Sequence, residues 1–235
     1  MNSPLESLPV FHIGPIPITM AVIITWVLMA ALSLAAFLLT RRLSVTPSAG
    51  QTVIELLVET IDSQIHDITD ASPAPYRSFV GTLFVFILAA NWSSLVPGID
   101  PPTANLETDA ALALLVFLSV IWFGVRRAGP VGYLKSFARP NPLMIPLNLM
   151  ESVTRTFSMF VRLFGNVMSG VFVIGIVASL AGLLVPIPLM ALDMVTGLIQ
   201  AYIFAVLAMV FIAAADADPA ARTSPDAPSP PDQEG

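Results

Sequence analysis

The chain contains no cysteine among its 235 residues, which excludes disulfides, thiolate metal sites and cysteine nucleophiles. Histidine is nearly absent as well. His12 and His66 are the 2 present, and both lie outside the long apolar runs, so no serine–histidine pair is available within them. Charged residues are scarce, at 11% of the chain where a soluble domain carries about 25%. The few bases form no patch of the kind that binds nucleic acid. No internal repeat is evident, so a self-contained secondary transporter built on inverted repeats gains no support. Residues 1–14 hold no Lys or Arg, and the first apolar run lacks a small-residue cleavage site, so that run reads as a retained span.

What is present is apolar. The apolar residue types make up 56% of the chain and the mean hydropathy is +0.83, far more than one globular core buries. Insertion into a bilayer resolves this, since a helical span takes roughly 20 mainly apolar residues. The expected fold class is an all-α integral membrane protein with five spans, at about 16–40, 78–96, 110–125, 143–185 and 189–215. The fourth run is too long for one perpendicular crossing at about 1.5 Å per residue, so it must tilt or bend. Pro186, Ile187 and Pro188 read as the turn into the fifth, which completes a long tilted hairpin.

Residues 1–15 form an outer N-terminal segment in this scheme, and 216–235, rich in Pro, Ala and acid, a disordered cytoplasmic tail. Between the first two spans, residues 51–70 place Val53, Ile54, Leu57, Ile61, Ile65 and Ile68 opposite Glu55, Glu59, Asp62 and Asp67. That is an amphipathic helix at the cytoplasmic surface, and its acidic face favours a protein partner over lipid. With the N-terminus outside, Arg41, Arg42, Arg77, Arg126, Arg127, Lys135 and Arg139 all fall on the cytoplasmic side, while the outer loop 97–108 holds no base. This positive-inside pattern sets a cytoplasmic C-terminus.

The fourth run carries the chemistry. With Glu151 set at zero and about 100° per residue, Arg155, Ser158, Arg162 and Ser169 fall within about 40° of it, and Asn148 and Asn166 at about 60°. One narrow polar stripe therefore runs about 30 Å along a helix otherwise covered by residues such as Phe157, Phe160, Val161 and Phe164. Lipid penalises such a face, so it looks at protein or water. Arg162 is its costly member: a central membrane Arg costs about 2.5–3.5 kcal/mol on the insertion scale, and a guanidinium cannot escape by losing its proton. It needs an anion. The bland solution is a structural ion pair with Glu151 or Asp193; the other is a functional role, the default for an ionisable residue inside a membrane. Glu151 and Arg155 suit a structural i, i+4 pair as well as any ion path. On the fifth run, Asp193, Thr196 and Gln200 lie within about 60° of one another. Asp193 is placed to be wetted from outside and to connect an aqueous half-channel, or else to sit as a snorkelling or capped residue near the helix start after Pro188. Gln200 lies deeper, near the level of Arg162. Small residues such as Gly165, Gly170 and Gly175 allow close helix approach.

The run Met159-Phe160-Val161-Arg162-Leu163-Phe164-Gly165-Asn166 resembles the signature of the a subunit of the membrane sector of rotary, F-type ATP synthases. Asn148-Leu149-Met150-Glu151, Asn91-Trp92 ahead of Leu95-Val96-Pro97, Pro102-Thr103-Ala104-Asn105, and Gln200-Ala201-Tyr202-Ile203-Phe204 fit it too, so the similarity covers nearly everything short of the tail. The resemblance implies a stator ion channel without an ATP site, cofactor or metal, in a bacterial inner membrane. Its implied partners are the c-subunit ring, the b subunits of the peripheral stalk and the rest of the complex. Two half-channels would reach the ring from opposite sides, and Arg162 would separate them. Asp193, Gln200, Asn166, Glu151, Arg155, Ser158 and Ser169 are the other expected ion-path residues. Many relatives carry an acid or His nine positions after the arginine, where this chain has Val171, and often His or Glu where it has Asp193; these departures point to a divergent branch. Asn105, Glu107 and Asp109 are candidates for the channel mouth, the two acids replacing the missing one, with solvated loop charges as the alternative. The coupling ion is bound by the c subunit. A proton is the expected ion, because one Asp and ordered water suffice to carry it, and Na+ is the alternative. A self-contained transporter remains the competing class, and it alone predicts ion or solute flux by the purified chain in liposomes. An intramembrane hydrolase, with Ser169-Gly170 as nucleophile motif, lacks its base.

Overall fold

The computed structural model describes residues 9–13, 16–41, 49–69, 72–96, 101–137, 143, 145–182 and 185–216. The tail beyond residue 216 and the connections carrying Arg42 and Arg139 lie outside the described residues.

Two short antiparallel strands, β1 (Pro9–Ile13) and β2 (Ile16–Thr19), precede six helices. The first helix, α1 (Met20–Thr40), thus begins four residues later than the apolar run does. Pro17 lies in that opening stretch, and its missing N–H is tolerated in a ribbon whose strands are both edges. Then follow α2 (Ala49–Thr69), α3 (Ala74–Trp92), α4 (Leu106–Phe137), α5 (Ile145–Ala181) and α6 (Pro186–Asp216). All but α2 are long and apolar enough to cross a membrane, which makes the expected five spans.

Local chemistry sets most of the helix ends. Prolines flank and enter the first turn of α3, where a missing N–H costs nothing. Gly129 in α4 has φ 73° and is followed by Pro130. Together they kink the helix just beyond Arg126 and Arg127, so that Tyr133 folds back against Gly124. Gly182, with φ 75°, closes α5 in the left-handed conformation usual after a helix end. Pro186-Ile187-Pro188, expected as a turn, instead forms the first turn of α6; proline fits there because the first helical N–H groups have no partner in any case. Unbroken over 37 residues, α5 is about 55 Å long, well beyond the roughly 30 Å of bilayer hydrocarbon, so it lies tilted.

The central helix is α6, which packs against α2, α3, α4 and α5. One core joins Leu83 and Ile87 of α3, Leu112 and Val116 of α4, Met159 and Leu163 of α5, and Ala201, Phe204 and Ala208 of α6. A second joins Ile65 of α2, Tyr76 and Val80 of α3, and Ala205, Met209 and Ile212 of α6. The amphipathic α2 is therefore clamped by its own chain. Its Asp62 forms a two-pronged ion pair with Arg77 of α3, and Tyr202 of α6 donates to Gln64 Oε1 at 2.7 Å. Its N-terminal half is different: Val53 and Leu56 are exposed. Helix α1 stands at the margin with almost no buried surface.

Candidate functional site

Helix α5 turns Met159, Leu163 and Val167 into the bundle. That choice of face leaves the polar stripe on its flank: Glu151, Arg155, Ser158, Arg162, Gly165 and Ser169 are all exposed, and Phe157 and Val161 beside them are exposed too. None of the described helices covers the stripe.

Arg162 sits midway along it. Among the described residues it has no hydrogen-bond or ion-pair partner, and neither anion considered from the sequence reaches it. Glu151 is engaged by Arg155, whose guanidinium also lies 5.2 Å above the ring of Phe211 on α6. Asp193 lies elsewhere, against Gly170, where an added Cβ would collide with its carboxylate. These two contacts fix the register of the antiparallel hairpin. Interpolating between them sets Arg162 beside the Gln200–Phe204 stretch of α6, the level expected for Gln200. Gln200 is 6% exposed and its Nε2 has no partner; Nδ2 of half-buried Asn166 is likewise buried and unpaired. The Ser169 hydroxyl donates to its own helix, to Asn166 O at 2.9 Å.

A second polar set occupies the end of the bundle where α3 finishes and α4 and α6 begin. Asn91 Nδ2 donates to Gly197 O at 3.0 Å, and its Oδ1 accepts from the Thr103 hydroxyl at 2.9 Å. Trp92 Nε1 donates to Met194 O at 3.2 Å, and the Ser94 hydroxyl approaches Asp193 Oδ2 at 3.4 Å. Asp193 is thus held at the junction of three elements while remaining partly exposed. Asn105 accepts the N–H of Thr108 and of Asp109 on its carbonyl, which starts α4. Glu107 is exposed, whereas Asp109 is completely buried. The reading of Asp109 as a solvated loop charge therefore fails, while for Glu107 the exposure agrees with it.

Four contributors escaped the sequence reading. Asn91, Thr103 and Gly170 were visible only as motif or small residues; what they do depends on which carbonyl, hydroxyl or carboxylate the fold brings opposite. A polar residue next to the α3 terminus was the available signal for Ser94. Among the described residues no three His, Asp or Glu side chains converge where they could hold a metal ion.

Fold and site together define a polytopic α-helical membrane protein that carries ionisable groups on its apolar helices and leaves Arg162 exposed and unpaired among the described residues. Residues 22–213 match the family described as ATP synthase A chain, and the chain belongs to that family, a membrane-sector subunit of the F-type ATP synthase. It is 54% identical over 214 residues to ATP synthase subunit a 2 of Bradyrhizobium sp. (strain BTAi1 / ATCC BAA-1182), covering 91% of this chain and 96% of that one. It is 46% identical over 204 residues to ATP synthase subunit a 2 of Acaryochloris marina, covering 86% and 87%. Against ATP synthase subunit a 1 of Chlorobaculum parvum the identity is 41% over 217 residues, covering 92% and 96%.

Proposed function

We propose that this chain is the stator ion channel of a rotary ATP synthase, coupling proton flow across a bacterial inner membrane to rotation of a c-subunit ring. The observation that carries the reading is the uncovered stripe on α5 with Arg162 unpaired at its centre. A permanent cation at membrane depth is tolerable only when an anion comes to it, and an ion-binding carboxylate on a ring subunit is that anion. The guanidinium favours the ionised carboxylate, so an arriving ring subunit gives up its ion there. Because arginine does not relay protons, an ion cannot pass straight through, and rotation of the ring is the remaining route.

In this scheme Asn166 and Gln200 flank the arginine with amide donors and keep the guanidinium oriented. Ser158 and Ser169 line the stripe on either side of it, and the Glu151–Arg155 pair closes its cytoplasmic end. Asp193 is the carboxylate of the half-channel open to the outside, with Asn105 and Glu107 at its mouth. The N-terminus lies outside, the C-terminus is cytoplasmic, and the b subunits of the peripheral stalk hold the chain against rotation. The coupling ion is the proton.

Replacing Arg162 by Ala in the assembled complex tests the reading. ATP synthesis and ATP-driven ion uptake into membrane vesicles should vanish while the complex still assembles; normal coupled uptake would refute it. Protection of the ring carboxylate from a carbodiimide by Na+ would overturn the choice of proton and leave the stator role standing.

A further inference from the structure

Asp109 is the most deeply buried acid among the described residues: none of it is exposed, and neither carboxylate oxygen has a hydrogen-bond partner. It stands in the first turns of α4, on the face that carries Leu112 and Val116 into the core shared with Met159 and Leu163 of α5. Asp109 therefore points inward, one turn beyond Leu112 on the side away from Arg162, at the end of the bundle that also holds Asp193.

Among the described residues no cation is at hand to balance it. The elements packed around this end are the 3-10 turn Pro102–Ala104, the C-terminal half of α5, the end of α3, the start of α6, and α1, which carries no charged residue. From residue 163 to the end of α5 there is no charged side chain, and residues 78–105 carry no Lys or Arg. The titratable groups facing this region are Asp193 on α6 and exposed Glu107 on α4 itself, both acidic. The α4 N-terminus offers an anion only the modest attraction of a helix dipole. Removing that ion from water costs considerably more, even after relaxation. Lost hydration therefore outweighs the helix dipole, and a bare Asp109 carboxylate is not a stable occupant of this position. A helix-start acid kept only for the dipole would instead sit where Glu107 does, facing out.

We propose that Asp109 is an ion-carrying station inside the outer half-channel, its carboxylate neutralised by an exchangeable monovalent cation, either a proton or Na+, that it hands on toward Asp193. The inference rests on the stator reading above. In the proton case the O–H bond of Asp109 breaks as one forms on Asp193, directly or through water. Asp109 then regains a proton from the outside, so the relay needs no other reactant. In the Na+ case one ion leaves as the next arrives. Thr103, Asn91 and Ser94 supply hydroxyl and amide oxygens along the same end of the bundle. An interior carboxyl here gives the path a second acid, although residue 171 is valine.

The test uses the assembled complex in membrane vesicles. Asp109→Asn keeps size and neutrality but cannot carry an ion, so ATP-driven ion uptake should fall by about tenfold or more at unchanged subunit content. Asp109→Glu should restore part of it. Uptake unchanged in Asp109→Asn, with Arg162→Ala inactive, would overturn this inference and leave the stator reading intact; uptake unchanged in Arg162→Ala would instead remove the reading beneath it. In the wild-type complex, which avoids any folding defect, an apolar carbodiimide should label Asp109. Labelling that rises as pH falls identifies a proton, and labelling suppressed by Na+ identifies Na+. Asp109 that stays unlabelled across pH and Na+ conditions counts against any exchangeable cation there.

Discussion

The two arms of the hairpin, α5 and α6, are both apolar helices of more than 30 residues, with hydropathies of 2.0 and 2.4 in their most apolar stretches, yet they do opposite things. Of that stretch 39% is buried in α6 and 11% in α5. Helix α6 is the scaffold: Ala201, Phe204, Ala208 and Ile212 face inward, Gln200 is buried, and Asp193 and Thr196 are half-buried. Helix α5 anchors through Met159, Leu163 and Val167 and leaves its charges exposed on its flank, Arg155 reaching over the ring of Phe211. The difference teaches that membrane-helix polarity does not by itself tell where a polar group will be satisfied. On α6 most polar groups meet partners within the chain, Gln200 Nε2 excepted; on α5 the stripe stays uncovered by the described helices.

If this division holds, substitutions in the apolar packing face of α6 act through stability and substitutions on the α5 stripe act through coupling. Phe204→Ala should cost most, about 3–5 kcal/mol, because a fully buried ring leaves a cavity between α3, α4 and α5; unfolding of the detergent-solubilised complex measures it, and a loss under about 1 kcal/mol would break the comparison. Asn91→Ala should follow, at about 1–3 kcal/mol, since Gly197 O and the Thr103 hydroxyl each lose a buried partner. Gly170→Ala sharpens the contrast at the point where the arms touch. Its methyl would displace the Asp193 carboxylate, so ion uptake should drop several-fold (to about a tenth at most) while stability falls by about 1 kcal/mol; uptake in vesicles against melting of the complex separates the two effects. Tyr202→Phe removes one exposed hydrogen bond to Gln64 and should cost about 0.5 kcal/mol with normal uptake. At the end of the series, Arg162→Ala should leave the melting temperature unchanged, because no partner among the described residues is lost, while coupling disappears.

Much of this was legible in the chain itself. Apolar runs mark five membrane helices because a bilayer demands length and continuity, both one-dimensional properties. The stripe on α5 was legible for a similar reason: a 3.6-residue period converts spacing directly into a face. Less legible were the helix limits near Pro17, Gly129 and Pro186, where proline and glycine permit either a break or a beginning and neighbouring backbone decides. The clamp between Asp62 and Arg77 was not legible either, although both residues were noted, because nothing local says that α2 folds back on α3.

Asp193 and Asp109 show where that limit falls. Each could be read from its neighbours as a solvated acid near a helix start. Only the packing shows that Asp193 fills the space left by Gly170 within reach of Ser94, and that Asp109 faces the core without a partner. By itself the sequence determined how many helices span the membrane, which of them bears the charged stripe, and that Arg162 lies at its centre. Those follow from composition and helical period alone. Which polar groups the chain satisfies internally and which it leaves uncovered was decided by tertiary structure, because burial and partnership belong to pairs of elements far apart in the chain.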